Sequence, residues 1–213
     1  MTPKDASAYA RELCGRAPVI PVLVVEDVEH AVPLAEALVA GGLPVLEVTL
    51  RTPAALEVIH RMATVPGGIV GAGTLLTPEQ VAEARAAGAR FGVSPGVTDR
   101  LLAACEAEDL PLLGGIATVG EAMGLLERGY DVAKFFPAEA NGGAPALKSF
   151  AGPLPQMAFC PTGGVSLANA PAYLALPNVL CVGGSWVADP KLARAGRWDE
   201  IEALARTASQ LNR

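Results

Sequence analysis

A carboxylate, a hydroxyl and a guanidinium recur at every second residue in the segment Val45-Leu46-Glu47-Val48-Thr49-Leu50-Arg51. An extended chain turns alternate side chains to opposite faces, so Glu47, Thr49 and Arg51 share one face and Val48 and Leu50 the other. Such a face could bind a small carboxylate and move a proton; an ion pair between Glu47 and Arg51 is the plainer alternative. A second feature is a lone lysine in the apolar run Asp131-Val132-Ala133-Lys134-Phe135-Phe136-Pro137. Turned inward, Lys134 would be desolvated and face the Arg51 cation; both effects favour the neutral amine that attacks a carbonyl. Otherwise it reaches solvent or pairs with a carboxylate. Gly71-Ala72-Gly73-Thr74 leaves space beside the Thr74 hydroxyl, or is a tight turn. Paired glycines in Cys160-Pro161-Thr162-Gly163-Gly164-Val165-Ser166 and Cys181-Val182-Gly183-Gly184-Ser185 suit backbone amides closing on phosphate, although each alone could be a turn.

Positioning these groups requires a scaffold, and short β-branched runs alternate with Ala/Leu/Glu-rich segments of helical period throughout the 213 residues. Strands are expected at 19–25, 45–50, 69–73, 91–93, 111–113, 132–136, 157–160 and 179–182. Helices are expected to begin near Asp27, Thr52, Thr77, Thr98, Thr118, Ala144, Leu167 and Pro190, with Thr52-Pro53 and Thr77-Pro78 as the clearest starts. Gly41-Gly42, Gly88 and Gly129 stand where helices should stop. Eight strand–helix units imply an α/β fold, a compact (β/α)8 TIM barrel preceded by a short N-terminal helix, as a single domain over 1–213. An open doubly wound sheet lacks support, because neither Gly-x-Gly-x-x-Gly after the first strand nor a Walker-type loop occurs.

Composition narrows the function classes. Hydrophobic residues make up 51% and charged residues 18%, as in a globular chain. Lys and Arg number 16 against 22 Asp and Glu, a net charge of −6 that attracts neither nucleic acid nor an anionic membrane. The apolar stretch 17–25 is far below the roughly 20 residues of a membrane span. The opening residues carry no secretory pattern, so a cytoplasmic location is expected. Cys14, Cys105, Cys160 and Cys181 are dispersed and read as reduced, mostly buried thiols. His30 and His60 lie on helix candidates without a ligand pattern, so no metal is expected.

These residues resemble a known family, the class I aldolases acting on 2-keto-3-deoxy-6-phosphogluconate, related to 4-hydroxy-2-oxoglutarate aldolase. The likeness runs through Pro18-Val-Ile-Pro-Val, the stretch from Ala40 to Thr52, Val70-Gly-Ala-Gly-Thr, Ser94-Pro-Gly, Lys134-Phe-Phe-Pro-Ala-Glu, Cys160-Pro-Thr-Gly-Gly and Gly183-Gly-Ser-Trp. The resemblance implies Lys134 as Schiff-base lysine and Glu47 as general acid/base, with Arg51 and Thr74 holding the pyruvyl carboxylate. It implies that Pro95 and Phe136 shape the cavity, and that Thr162, Gly163, Gly164, Gly184 and Ser185 hold distal hydroxyls and phosphate. It further implies cleavage to pyruvate and glyceraldehyde 3-phosphate in the Entner–Doudoroff pathway without a cofactor, and a homotrimer. The 6-phosphogalactonate homologue shares the lysine chemistry, while Leu50-Arg51-Thr52-Pro53 is more similar to the gluconate branch. A non-covalent phosphate-binding barrel isomerase or decarboxylase is the remaining alternative. The fifth-strand segment Leu113-Gly114-Gly115-Ile116-Ala117-Thr118 departs from the family's usual proline before the second glycine.

Overall fold

The computed structural model describes residues 1–212. Helix α1 (Pro3–Gly15) begins at Thr2, whose hydroxyl accepts the Asp5 amide while the Asp5 carboxylate accepts the Thr2 amide. Proline at the first helical position completes a start that requires no tertiary help. The strands that follow are β1 (Val19–Leu23), β2 (Val45–Thr49), β3 (Ile69–Gly73), β4 (Gly92–Val93), β5 (Leu112–Leu113), β6 (Gly115–Ile116), β7 (Val132–Phe135), β8 (Ala158–Pro161) and β9 (Val182–Gly184). Between and after them lie α2 (Ala31–Ala40), α3 (Ala55–Met62), α4 (Pro78–Ala86), α5 (Asp99–Ala107), α6 (Val119–Arg128), α7 (Gly143–Phe150), α8 (Ala170–Leu174), α9 (Pro190–Arg194) and α10 (Trp198–Ser209).

All strand pairs are parallel, in one six-stranded sheet ordered β5-β4-β3-β2-β1-β9 and one three-stranded sheet ordered β6-β7-β8. Isolated parallel bridges, Phe159 with Val179 and Thr162 with Gly183, tie β8 to the β9 segment. Only Gly114 separates β5 from β6, so the expected fifth strand extends past Leu113 into Gly115 and Ile116, where it pairs with Lys134 and Phe135. The last strand also differs from expectation. Val179 makes only a bridge, while Val182, Gly183 and Gly184 pair with Val19, Ile20 and Pro21, so the ladder with β1 sets the strand's start.

Local signals carry most helix starts. Thr77, Thr98 and Thr118 each accept an amide three residues on, and Gln80 and Glu121 close capping boxes. Thr52 does not cap: its hydroxyl donates to the Val25 carbonyl at 2.7 Å, and α3 starts at Ala55. The hydroxyl is used in a tertiary contact and accepts no amide of α3. Asp27 caps a 3₁₀ turn over Val28–His30 ahead of α2. Helix α10 has no side-chain cap, only an acidic first turn in Asp199 and Glu200; it is held through buried Ile201, Ala205 and Ala208 and packs on α2.

Two apolar clusters divide the strands by alternation. Leu46 and Val48 of β2 pack with the helices, whereas Val45 joins Ile20, Phe91, Val93, Leu113, Val132, Cys160 and Cys181 on the opposite face. Ala10, Leu13 and Cys14 of α1 belong to that second cluster, so α1 covers the amino-terminal ends of the strands. On this face of β2 and β7 the polar side chains, Glu47, Thr49 and Lys134, follow the apolar Val45 and Val132 toward the carboxyl ends. Among the described residues no helix is long and apolar enough to cross a membrane.

Candidate active site

On β2 the residues after Val45 on its face are Glu47 and Thr49, as the period-2 reading requires. Thr49 is fully buried and donates to the Leu23 carbonyl at 2.8 Å, so its hydroxyl ties β2 to β1 and is not free for a ligand. On β7, Lys134 follows Val132 on the same face and pairs in register with Gly115 and Cys160. Its Nζ lies 3.3 Å from Glu47 Oε1, with only 5% and 4% of the two side chains exposed. The carboxylate partner of this buried lysine is thus Glu47. Among the described residues Arg51 makes no ion pair, so the Glu47–Arg51 pair is not formed.

Two features make so buried a pair tenable. The Lys134 ammonium position stands 5.0 Å from the centroid of the Phe136 ring, where the ring's negative face compensates part of the lost hydration. On β3, a Cβ at Gly73 would fall 2.4 Å from Glu47 Oε1, so glycine there is a condition for the carboxylate's position. Burial pushes the Glu47 carboxyl above the ordinary carboxylate range, against the pull of Lys134 and, more weakly, of Arg51. A carboxyl so raised, beside an amine, is suited to exchanging protons with a substrate.

A cavity of about 420 Å³ is lined by Arg51, Phe136, Thr162, Gly163, Gly164, Gly184 and Ser185, together with Val22, Val24 and Val165. Arg51 is exposed on its wall and Thr162 is buried. Seven predicted site residues therefore converge; Glu47 and Lys134 are buried and not part of the lining, and the Phe136 ring joins the cavity to Lys134. Thr74 and Pro95 do not line the cavity: Thr74, half-buried with φ +62°, ends β3, and Pro95, also half-buried, follows β4 with its carbonyl against Gly115.

The loop after β8 has an unusual division of its polar groups. The Gly163 and Gly164 carbonyls accept from the Glu139 amide and from Asn169 Nδ2, each at 3.1 Å. Among the described residues, the consecutive amides of Gly164 and Val165 donate to no protein acceptor. Unpaired consecutive amides at a cavity wall suit an anion. Glu139, Asn169 and Tyr173 were not picked out by sequence reasoning; the spacing Ser166-x-x-Asn169 ahead of Pro171 was the available signal. Val22 and Val24 were missed too, although alternation from Ile20 puts them on the inner face. All four cysteines are buried and none is in a disulfide, and Cys160 and Cys181 lie side by side with their Sγ atoms 3.5 Å apart. His30 packs edge-on against Trp198, a helix-packing role, and His60 is exposed.

Comparison with known proteins bears on this arrangement. The family profile described as KDPG and KHG aldolase matches residues 10–204. The chain is 52% identical over 206 residues to the 2-dehydro-3-deoxy-phosphogluconate aldolase of Pseudoalteromonas atlantica, covering 96% of each chain. It is also 52% identical to the KHG/KDPG aldolase of Escherichia coli, over 96% of this chain and 97% of that one. A crystal structure of KDPG aldolase from Legionella pneumophila, with pyruvate captured at low pH as a covalent carbinolamine intermediate, superposes with a TM-score of 0.91 at 48% identity. That superposition covers 94% of this chain and 98% of the other.

Proposed function

The chain belongs to the KDPG and KHG aldolase family, and from that premise we propose that it cleaves 2-dehydro-3-deoxy-6-phosphogluconate to pyruvate and glyceraldehyde 3-phosphate. It acts as an aldehyde-lyase of the Entner–Doudoroff pathway through a Schiff base on Lys134. The observation that carries this reading is the buried Lys134–Glu47 contact under Phe136, together with a cavity that Phe136 also lines and whose wall presents the unpaired Gly164 and Val165 amides.

The neutral amine of Lys134 attacks the C2 ketone, and loss of water leaves a protonated imine that serves as the electron sink. Glu47, through a water, takes the C4 hydroxyl proton as the C3–C4 bond breaks, and the bond's electron pair enters the imine to give an enamine. Glyceraldehyde 3-phosphate leaves, the same carboxyl returns a proton to C3, and hydrolysis frees pyruvate and Lys134. Arg51 and Thr74 hold the pyruvyl carboxylate, with Arg51 able to pair with both oxygens. Pro95 and Phe136 shape the space around the imine. Thr162, Gly163, Gly164, Gly184 and Ser185 take the distal hydroxyls and the phosphate. Turnover of 4-hydroxy-2-oxoglutarate is a second activity, favoured by the similarity to the Escherichia coli relative named KHG/KDPG aldolase.

The same reading includes a closed (β/α)8 barrel as one domain over 1–213. It is supported by the bridges that tie β8 to the β9 segment and by the single glycine that joins β5 to β6. It also includes a cytoplasmic homotrimer, which sedimentation of the purified protein tests. The chemistry is tested by peptide mapping after treatment with pyruvate and borohydride. A reduced pyruvyl adduct on Lys134 is expected; folded protein that takes up none would shift the reading to a non-covalent barrel enzyme.

A further inference from the structure

The cavity's anion wall is built from behind. Asn169, just ahead of α8, makes three hydrogen bonds: its Nδ2 donates to the Gly164 carbonyl at 3.1 Å, and its Oδ1 accepts from the Ser166 amide at 2.7 Å and the Ser166 hydroxyl at 3.2 Å. From the other side the Glu139 amide donates to the Gly163 carbonyl, and the Tyr173 hydroxyl donates to the Glu139 carboxylate. Glu139 also fills the space beside Gly164, where a Cβ would fall 2.6 Å from Glu139 Cγ. With both glycine carbonyls engaged on this outer side, the N–H groups that share their peptide planes, those of Gly164 and Val165, are turned to the inner side.

Glu139, Asn169 and Tyr173 line a second cavity of about 420 Å³ that shares no residue with the first. They therefore reach the site only through the loop. A trans peptide plane carries the N–H of the next residue opposite its carbonyl, so the Glu139 bond at the Gly163 oxygen fixes the Gly164 N–H and the Asn169 bond at the Gly164 oxygen fixes the Val165 N–H.

We propose that Asn169, assisted by the Tyr173–Glu139 contact, is the positioning residue that selects phosphorylated over non-phosphorylated keto acids. It acts by holding the Val165 amide, next to the Gly164 amide that the Glu139 bond fixes, toward the distal end of the substrate. The proposal deepens the reading above and rests on that loop being the phosphate-binding element. Asn169 touches no reacting atom, so its loss raises KM for the phosphorylated substrate and leaves the lysine chemistry intact.

The test compares wild type with Asn169→Ala and Tyr173→Phe, which leave the net charge unchanged. Readouts are KM and kcat on 2-dehydro-3-deoxy-6-phosphogluconate and on 4-hydroxy-2-oxoglutarate, inhibition by inorganic phosphate, and the rate of pyruvate–borohydride trapping. Asn169→Ala is expected to raise KM for the phosphorylated substrate, and the inhibition constant of inorganic phosphate, roughly 10-fold, as loss of one well-placed hydrogen bond allows. kcat, trapping and the non-phosphorylated substrate change less than about 2-fold, within the small error of additivity for sites that share no partner. Tyr173→Phe gives a smaller shift of the same kind and serves as the test should Asn169→Ala fail to fold. Equal losses on both substrates, or no change in KM in a variant of folded protein whose wild type responds to phosphate, would overturn the positioning role alone. Wild type that inorganic phosphate does not inhibit would remove the loop as an anion site and this proposal with it.

Discussion

The two ends of the inward-facing strand surface are built on opposite rules. At the amino-terminal end Ile20, Val45, Phe91 and Val132 meet Ala10, Leu13 and Cys14 of α1, an apolar layer backed by the thiols of Cys160 and Cys181. At the carboxyl end the same faces carry Glu47, Thr49, Lys134 and Thr162, all buried, with Arg51 exposed above them. The contrast separates packing from chemistry along single strands: Val45 and Glu47, or Val132 and Lys134, are two residues apart. The apolar end contributes stability; the polar end bears the cost of burying charge, which a partner offsets only in part. Thr49 marks the border, since its buried hydroxyl is spent on the Leu23 carbonyl.

Replacing one residue at each end shows whether the division holds. Lys134→Ala is expected to abolish the pyruvate–borohydride adduct and lower kcat on the order of 10⁴-fold or more while circular dichroism shows an intact fold. An adduct that survived in this variant would place the nucleophile elsewhere. Glu47→Gln should lower kcat roughly 10²–10⁴-fold and still allow the imine to form with pyruvate, which distinguishes proton transfer from nucleophilic attack.

The same variant probes the electrostatics of the polar end. Because burial holds the folded Glu47 carboxyl above its ordinary value of 4.5, the folded chain binds the proton more tightly than the unfolded chain. Stability is therefore lost as pH rises from that ordinary value through the folded one. Thermal unfolding of Glu47→Gln across this window should fall off less steeply with pH than in wild type. Identical slopes would deny the carboxyl any desolvation cost.

At the apolar end, Leu13→Ala should destabilise the protein by about 2–4 kcal/mol through a cavity beneath the strands, read in denaturant melts, with KM unchanged in the folded fraction. A large change in KM at unaltered stability would mean that α1 serves the site directly. The smallest effect belongs to the exposed end of the same helix, where Arg16 pairs with Glu12. Arg16→Ala should shift stability by no more than about 0.5 kcal/mol, as exposed pairs one helical turn apart do.

The site was legible in the sequence wherever a polar residue interrupted an apolar alternation. Glu47 and Lys134 stood out because burial there is costly unless it serves something, and Gly163-Gly164 because paired glycines follow a strand. Asn169, Glu139 and Tyr173 were not legible in the same way. Each is an ordinary residue near a helix start or in a turn, and its role depends on which carbonyl or carboxylate lies across the loop. Thr74, read from the small residues that end its strand, and Pro95, singled out through a family resemblance, end up outside the lining of the cavity that holds the distal residues.

Period-2 alternation, Thr and Pro at helix starts and glycines at their ends determined the order of elements, the faces of β2 and β7, and the caps of α4, α5 and α6, because these depend on neighbours in the chain. Tertiary structure alone decided that Glu47 meets Lys134 and not Arg51, that Thr52 bonds Val25 and leaves α3 to start at Ala55, that the fifth strand runs on past Gly114, and that α10 packs on α2. Each of these is a choice between a near partner and a distant one. Local sequence carries no record of a distant partner until the fold brings it within hydrogen-bonding or packing range.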